Sequence, residues 1–237
     1  MVKRLTLSSA HCFRFECEML SGIKSALPVL LGLSSRREFS YLCETGIGNV
    51  IPDLVAGVFC DEIEPTKTFI SNVEAHIVAL VAQCGDLSET EVRARLHLSE
   101  PGANRALSRL RKSGIIRFDH GGNVALAHGA WLKGIQVTAF ELKLRRWTEA
   151  LEQAVSYLNF ADRAYVVLDG AQVSPTERML EMFREKSVGL LLQRGDSFQE
   201  LCEARKLTCL TADKVIVAQK LRHAGIPSLA CAVQCPA

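Results

Sequence analysis

A chain of 237 residues, 48% hydrophobic and 23% charged, can bury one large core or two small ones, which excludes a predominantly disordered protein. Its formal net charge of +2 excludes a global field that would attract a polyanion, so any nucleic-acid surface has to be a local patch. Basic residues near the N-terminus are followed by no apolar run, and no stretch reaches the roughly 18 apolar residues of a membrane helix, so a cytoplasmic protein that does not enter the membrane is expected.

From about Ser9 to Leu33, the residues Phe15, Met19, Leu20, Ile23, Ala26 and Leu27 recur at helical spacing and Gly32 closes the segment, predicting one amphipathic helix. Glu16 falls inside the apolar stripe, between the directions of Met19, Ile23 and Leu27, whereas Glu18 points away. Arg37–Cys43 and Val50–Cys60 are dominated by β-branched and aromatic residues and predict two strands. Glu44 to Asn49 supplies the turn between them, and Gly46-Ile-Gly48 reads as part of it, not as a phosphate loop. Asp53 stands at the start of the second strand.

Between Asn72 and Ala127 come three short helical patterns and a hairpin. Val73, Ile77, Leu80, Val81 and Cys84 make the first apolar stripe, Ser88-Glu-Thr-Glu91 is a capping box, and Val92 with Leu96 continues a second helix. The third starts near Ser99-Glu-Pro101, stops at Gly114 and buries Ala103, Leu107 and Leu110. Its opposite face then carries Arg105, Ser108, Arg109 and Lys112, which can meet phosphates. Ile115-Ile-Arg-Phe118 and Asn123-Val-Ala-Leu126 flank Asp119-His-Gly-Gly122, whose glycines allow a tight hairpin.

Strand patterns return at Val137–Leu144, Ala164–Leu168 and Val188–Gln193, with helices near 147–160, 175–186, 197–206 and 213–224. In the first of these strands Phe140, Leu142 and Leu144 share one face while Glu141 and Lys143 share the other. Burying a carboxylate and an ammonium is costly unless partners or a metal compensate, so a functional site explains the pair better than a structural ion pair does. In the following helix Trp147, Leu151, Val155 and Leu158 form the packing stripe, and Gln153 and Tyr157 lie together beside it. The six histidines His11, His76, His97, His120, His128 and His223 show no metal-binding spacing. Nine cysteines, an odd number without a Cys-x-x-Cys pair, fit neither a zinc site nor a disulfide framework; buried free thiols are expected.

The order helix, helix, basic third helix, hairpin resembles the winged helix-turn-helix domains of bacterial regulators. That resemblance implies DNA binding through Arg105, Ser108, Arg109 and Lys112, with the third helix in the major groove. A merely solvated basic face, or one that docks protein, is the competing reading.

The flanking segments resemble the PD-(D/E)XK nuclease superfamily. The resemblance rests on Pro52-Asp53, on Glu141-Leu142-Lys143, on Gln153 and Tyr157 spaced as in the RecB-like members, and on the inward Glu16 of the first helix. It implies a restriction-endonuclease-like α/β core formed by residues 1–70 and 129–237, with the winged-helix domain of residues 71–128 inserted between core strands. Residues 53 and 141 stand 88 apart, far beyond the family's usual spacing, and the insertion accounts for the excess.

The implied activity is metal-dependent hydrolysis of DNA phosphodiesters by a DNA endonuclease. Asp53, Glu141 and the backbone carbonyl of Leu142 would hold Mg²⁺ or Mn²⁺, and Lys143 would orient water or neutralise charge in the transition state. Glu16 would hold a second ion or the water, and Gln153, Tyr157 and Arg146 would contact the strand being cut. The expected partners are DNA and, in a homodimer, a second copy of the chain. The rival readings are a non-catalytic transcriptional regulator that uses a nuclease-like fold for dimerisation or ligand sensing, and a toxin-like or defence protein acting through contacts alone. Retention of Asp53, Glu141 and Lys143 together favours the enzyme.

Overall fold

The computed structural model describes residues 12–33, 38–59, 69–127, 134–208 and 210–224. In chain order the described elements are α1 (Glu16–Leu30), β1 (Phe39–Cys43), β2 (Leu54–Phe59), α2 (Asn72–Cys84), α3 (Glu89–Leu96), α4 (Glu100–Lys112), β3 (Ile116–Phe118) and β4 (Val124–Leu126). There follow β5 (Ile135–Lys143), α5 (Trp147–Tyr157), β6 (Arg163–Asp169), α6 (Glu177–Glu185), β7 (Gly189–Arg194), β8 (Ser197–Cys202) and α7 (Ala212–His223). The expected starts near Ser9 and Arg37, the end at Cys60, and His11 and His128 lie outside the described residues.

Six strands form one mixed sheet in the order β1-β2-β5-β6-β7-β8. The central β5, β6 and β7 run parallel, and α5 and α6 are the crossovers that parallel neighbours require. β1, β2 and β8 are antiparallel additions at the two sides. Leu54 pairs with Phe140, so Asp53, one residue earlier on an antiparallel strand, arrives opposite Glu141. The whole α2–β4 segment is spliced between β2 and β5, two strands that are hydrogen-bonded neighbours.

Apolar residues cover both faces of the sheet. On one side Met19, Ile23 and Leu27 of α1 pack on Leu54, Phe140, Leu142, Tyr165 and Val167. On the other, Ala150, Leu151 and Ala154 of α5, Phe183 of α6 and Val217 and Ala218 of α7 pack on Val137, Ala139, Val166 and Leu190. That second cluster does not end at the sheet. It continues through Ile77 and Val81 of α2 into Val92, Leu107, Leu110 and Val124 of the inserted segment. The insert therefore shares its core with the α/β half through α2, which lies along α7.

This docking corrects the stripe expected for α2. Ala75, Ile77, Val78, Ala79 and Val81 are buried, while Val73 and Cys84 are exposed and Leu80 is half-buried. A helix covered on two sides, with each fully buried Val or Ile contributing ~1.5–3 kcal/mol, cannot show a single apolar stripe. Polar bonds fix the same contact: Ile70 N donates to Gln219 Oε1 at 3.2 Å, the Gln83 amide donates to the Leu210 carbonyl, and Phe69 stacks on His223 with ring centroids 4.1 Å apart. In its first turn α7 is also held by a buried pair in which Lys214 meets Asp162, whose Oδ2 accepts Val137 N at 2.8 Å.

Three further expectations are corrected. The helix expected over 197–206 is strand β8: Phe198, Leu201 and Cys202 have helical spacing, but the Gly195 turn (φ +57°) folds the segment back on β7, whose open edge it pairs. Helix α1 starts at Glu16, and Phe15 is its extended N-cap, 65% exposed, not a member of the stripe; Glu18 caps this end by accepting Arg14 N at 2.8 Å. Of the described thiols, Cys12, Cys17 and Cys84 are exposed, Cys43 is half-buried and Cys202 alone is buried, so burial of free thiols does not hold as a rule here.

Candidate functional site

In the inserted segment, Ser88 and Glu91 form the expected capping box, with Glu91 N donating to Ser88 Oγ at 3.2 Å. Ser99 caps α4, accepting from Gly102 N. Gly114 (φ +71°) ends α4, and β3 and β4 close on Gly122 (φ +80°), with Asp119 Oδ1 accepting both Gly121 N and Asn123 N. Ala103, Leu107 and Leu110 are buried, and Arg105, Ser108, Arg109 and Lys112 are all exposed on the opposite face. The Arg111 guanidinium lies 5.3 Å from the Phe118 ring centre and braces α4 against the hairpin, where Arg117 adds a further exposed cation.

One of these cations has a second task. Arg109 Nε lies 3.0 Å from Glu74 Oε1, and Glu74 is 2% exposed while its other oxygen accepts Ser71 N at 2.6 Å. Glu74 thereby links the basic face of α4 to the N-cap of α2, a coupling the sequence reading missed. Its signal was legible, because Ser71-Asn-Val-Glu74 is a second capping-box pattern.

At the carboxyl end of β5 a second cluster assembles from four elements. Glu141, 2% exposed, accepts a 2.5 Å hydrogen bond from the Tyr157 hydroxyl of α5 on Oε2 and meets Lys143 Nζ at 3.0 Å on Oε1. Lys143 Nζ also lies 3.3 Å from Glu16 Oε2 at the start of α1. Asp53 Oδ2 accepts Leu142 N at 2.7 Å, which pins the acidic residue at the head of β2 beside Glu141 of β5. Glu16, Asp53, Glu141, Lys143 and Tyr157 are thus brought together, and Glu18 is turned to solvent as expected. Gln153 is not: it is exposed on α5, whereas Tyr157 is buried, because the buried face of that helix runs through Ala150, Leu151, Ala154 and Tyr157. Arg146 is exposed and pairs with Glu149 at 2.9 Å.

The electrostatics of this cluster are those of carboxylates short of counter-charge. Burial pushes the Asp53 carboxyl above its ordinary range, against the Leu142 hydrogen bond and the Lys143 charge. Burial likewise raises Glu141, with Asp53 adding to it and the Tyr157 and Lys143 bonds opposing. Burial lowers the Lys143 pKa, but the Glu141 hydrogen bond and the charges of Glu141, Glu16 and Asp53 outweigh it and raise the group overall, so it stays an ammonium. Burial and Glu141 hold the Tyr157 hydroxyl protonated and therefore a donor.

Two carboxyls held up by burial, Glu141 by the Asp53 charge as well, with hard oxygen donors at a strand end, would suit a divalent cation. The fit is to a pair of acids: among the described residues no group of three or more His, Cys, Asp or Glu side chains is placed to hold an ion. Glu16 accordingly stands by Lys143 in this arrangement and not as a third ligand.

A family model described as winged helix-turn-helix DNA-binding matches residues 74–117. No curated protein matches the chain. A solved structure of a protein of unknown function from Silicibacter pomeroyi is 18% identical over 48% of this chain and 76% of that one, with a TM-score of 0.27, and bears on neither fold nor function. No described helix is long and apolar enough to cross a membrane. Mixed α/β in architecture, the chain carries a winged helix-turn-helix DNA-binding domain at residues 74–117.

Proposed function

We propose that the chain is a DNA-binding phosphodiesterase of the PD-(D/E)XK kind, in which the winged helix supplies DNA affinity and the cluster at the end of β5 cuts. The family match is confined to residues 74–117, so the reading of the α/β half rests on geometry. The observation that carries it is convergence: Asp53, 88 residues before Glu141, meets Glu141 and Lys143 at the carboxyl end of β5 with Glu16 and Tyr157 around them. We further propose residues 1–70 and 129–237 as the discontinuous catalytic domain and a cytoplasmic setting.

A bound Mg²⁺ or Mn²⁺ would supply Lewis-acid polarisation of the phosphate and a more acidic water. Asp53 and Glu141, with the Leu142 carbonyl, are the oxygens that would hold it. Tyr157 keeps Glu141 from rotating, since the hydroxyl stays protonated and the hydrogen bond is buried. Lys143 presents a fixed ammonium between Glu141 and Glu16, where it can orient water or offset charge building on the phosphate. Glu16, partly exposed, is placed to take a proton from that water.

A second reading, a regulator without catalysis, is favoured by one observation: Glu141 already has both oxygens satisfied by Tyr157 and Lys143, as in a closed structural network. Incubating the purified protein with supercoiled plasmid and linear duplex, in Mg²⁺ or Mn²⁺ against a chelator, separates the two. Metal-dependent cutting supports the phosphodiesterase; tight binding of DNA left intact in both metals supports the regulator. Dimerisation belongs to the proposal and is read by light scattering with and without DNA.

A further inference from the structure

Between the chain leading into α1 and the turn from β5 to α5 lies an open cleft of about 570 Å³, with Arg14, Glu16, Leu144, Arg145, Arg146 and Gln172 on its walls. It adjoins the acidic cluster through Glu16, whose Oε2 is 3.3 Å from Lys143 Nζ, and through Leu144, the residue after Lys143. A space of this volume holds a ligand of nucleotide dimensions. Three arginines against one carboxylate, itself paired with Lys143, make the cleft positive beside carboxylates that would repel a phosphate.

The cleft is built on Asp169, which has no exposed surface. Its carboxylate accepts Phe13 N at 3.2 Å, Ala171 N at 2.8 Å and Gln172 Nε2 at 2.7 Å. Gln172 Nε2 also donates to the Phe13 carbonyl at 3.0 Å, and Gln172 Oε1 accepts Arg145 Nε at 2.5 Å. A single amide side chain therefore ties the residue before Arg14 to Arg145, and a buried carboxylate fixes that amide. Because the partner of Arg145 Nε is neutral, the bond orients the guanidinium without offsetting its charge, and the terminal nitrogens keep their donors. Among the described residues no carboxylate pairs with Arg14 or Arg145, whereas Arg146 is met by Glu149 at 2.9 Å. An exposed guanidinium held at Nε and left uncompensated is arranged to take a phosphate through both terminal nitrogens.

We propose that this cleft anchors a phosphate group of the substrate strand adjacent to the one being cut, with Arg145 as the clamp, Arg14 adding charge from the α1 side and Gln172 positioning Arg145. The inference rests on reading the Asp53–Glu141–Lys143 cluster as a phosphodiesterase site. An internal phosphodiester and the phosphate at a strand end offer the same oxygens, and the test separates them. The full chain is titrated calorimetrically with thymidine 5′-phosphate and with the dinucleotide thymidylyl-thymidine, whose one phosphate is internal, in chelator so that no metal bridges the ligand. Both ligands are too short to engage the winged helix. Arg145→Ala is expected to weaken binding of one or both about tenfold, and Arg178→Ala, which removes an exposed arginine of α6 outside the cleft, to leave it unchanged. Gln172→Leu should weaken binding by less than Arg145→Ala and add nothing in the Arg145→Ala background, as a residue acting through Arg145 must. Loss confined to the monoester assigns the cleft to a strand end, and loss with the dinucleotide assigns it to an internal phosphate. Wild-type protein that binds neither ligand, or equal affinities in Arg145→Ala and Arg178→Ala, would overturn the proposal. A further loss from Gln172→Leu in the Arg145→Ala background would overturn the positioning role. Failure of the phosphodiesterase reading looks different: wild-type protein would hold these ligands through Arg145 and leave a longer strand whole in Mg²⁺ and Mn²⁺.

Discussion

Asp53→Asn separates the charge of the cluster from its scaffold. Asp53 Oδ2 accepts Leu142 N at 2.7 Å, and an asparagine oxygen can take the same hydrogen, so a bond worth about 1 kcal/mol is kept. What is removed is a negative charge beside Glu141, in a site where burial holds both carboxyls above their ordinary range. A carboxyl whose folded pKa exceeds its unfolded one binds more protons in the native state between the two values, so its contribution to stability falls as pH rises through that window. Asp53→Asn is therefore expected to melt at or above wild type near about pH 8 and to lose that advantage near about pH 4.

Metal reverses the order. If Asp53 and Glu141 hold Mg²⁺, the ion at tenfold its dissociation constant stabilises wild type by about 1.4 kcal/mol. For a chain of this size that is roughly 3–6 °C in melting temperature, whereas the variant should shift by less than about 1 °C. Differential scanning fluorimetry with Mg²⁺ titrated against chelator reads both effects. An equal Mg²⁺ shift in the two proteins, or a variant that melts several degrees below wild type at the higher pH, refutes the reasoning.

Tyr157→Phe leaves a buried Glu141 oxygen without its donor and is expected to cost about 1–3 kcal/mol in urea unfolding; an unchanged midpoint would place that hydrogen bond outside the folded state in solution. Arg105→Ala combined with Lys112→Ala should weaken duplex binding and flatten the slope of log affinity against log salt by about two units if both touch phosphate, and an unaltered slope in gel-shift titrations would assign the face to another partner. Arg109→Ala should melt lower than Arg105→Ala, because Glu74 stays buried without its counter-ion, and equal melting temperatures would show the Glu74 pair to be dispensable.

What the sequence disclosed, and what it hid, divides by the range of the interaction. Alternating residues in β5, the capping boxes at Ser88 and the punctuation of α4 by Ser99 and Gly114 are local, and the structure has them where the pattern puts them. The convergence of Glu16, Asp53, Glu141 and Lys143 was legible through the resemblance, since each sits at an element end that the sheet gathers. Spacing misled where packing decided. Gln153 and Tyr157 share a helix face by number, yet only Tyr157 reaches the sheet. Phe198, Leu201 and Cys202 read as a helical stripe until the edge of β7 claimed them as β8. The two-sided burial of α2 depends on α7, more than a hundred residues later, and nothing local announces it. Asp169 with Gln172 was overlooked for the same reason, since their meaning lies in the Phe13 and Arg145 atoms they hold.

Single-turnover cleavage of one duplex by wild type and Glu141→Gln, run beside gel-shift titrations of the same DNA, tests the central claim most directly. Glutamine keeps the shape and can still accept from Tyr157, but it removes the charge that would hold the metal. The account predicts metal-dependent cutting by wild type, a loss of orders of magnitude in the variant, and unreduced affinity, because binding belongs to the winged helix at residues 74–117. Equal cutting by both proteins, or DNA bound tightly and left whole by wild type in Mg²⁺ and Mn²⁺, would contradict it.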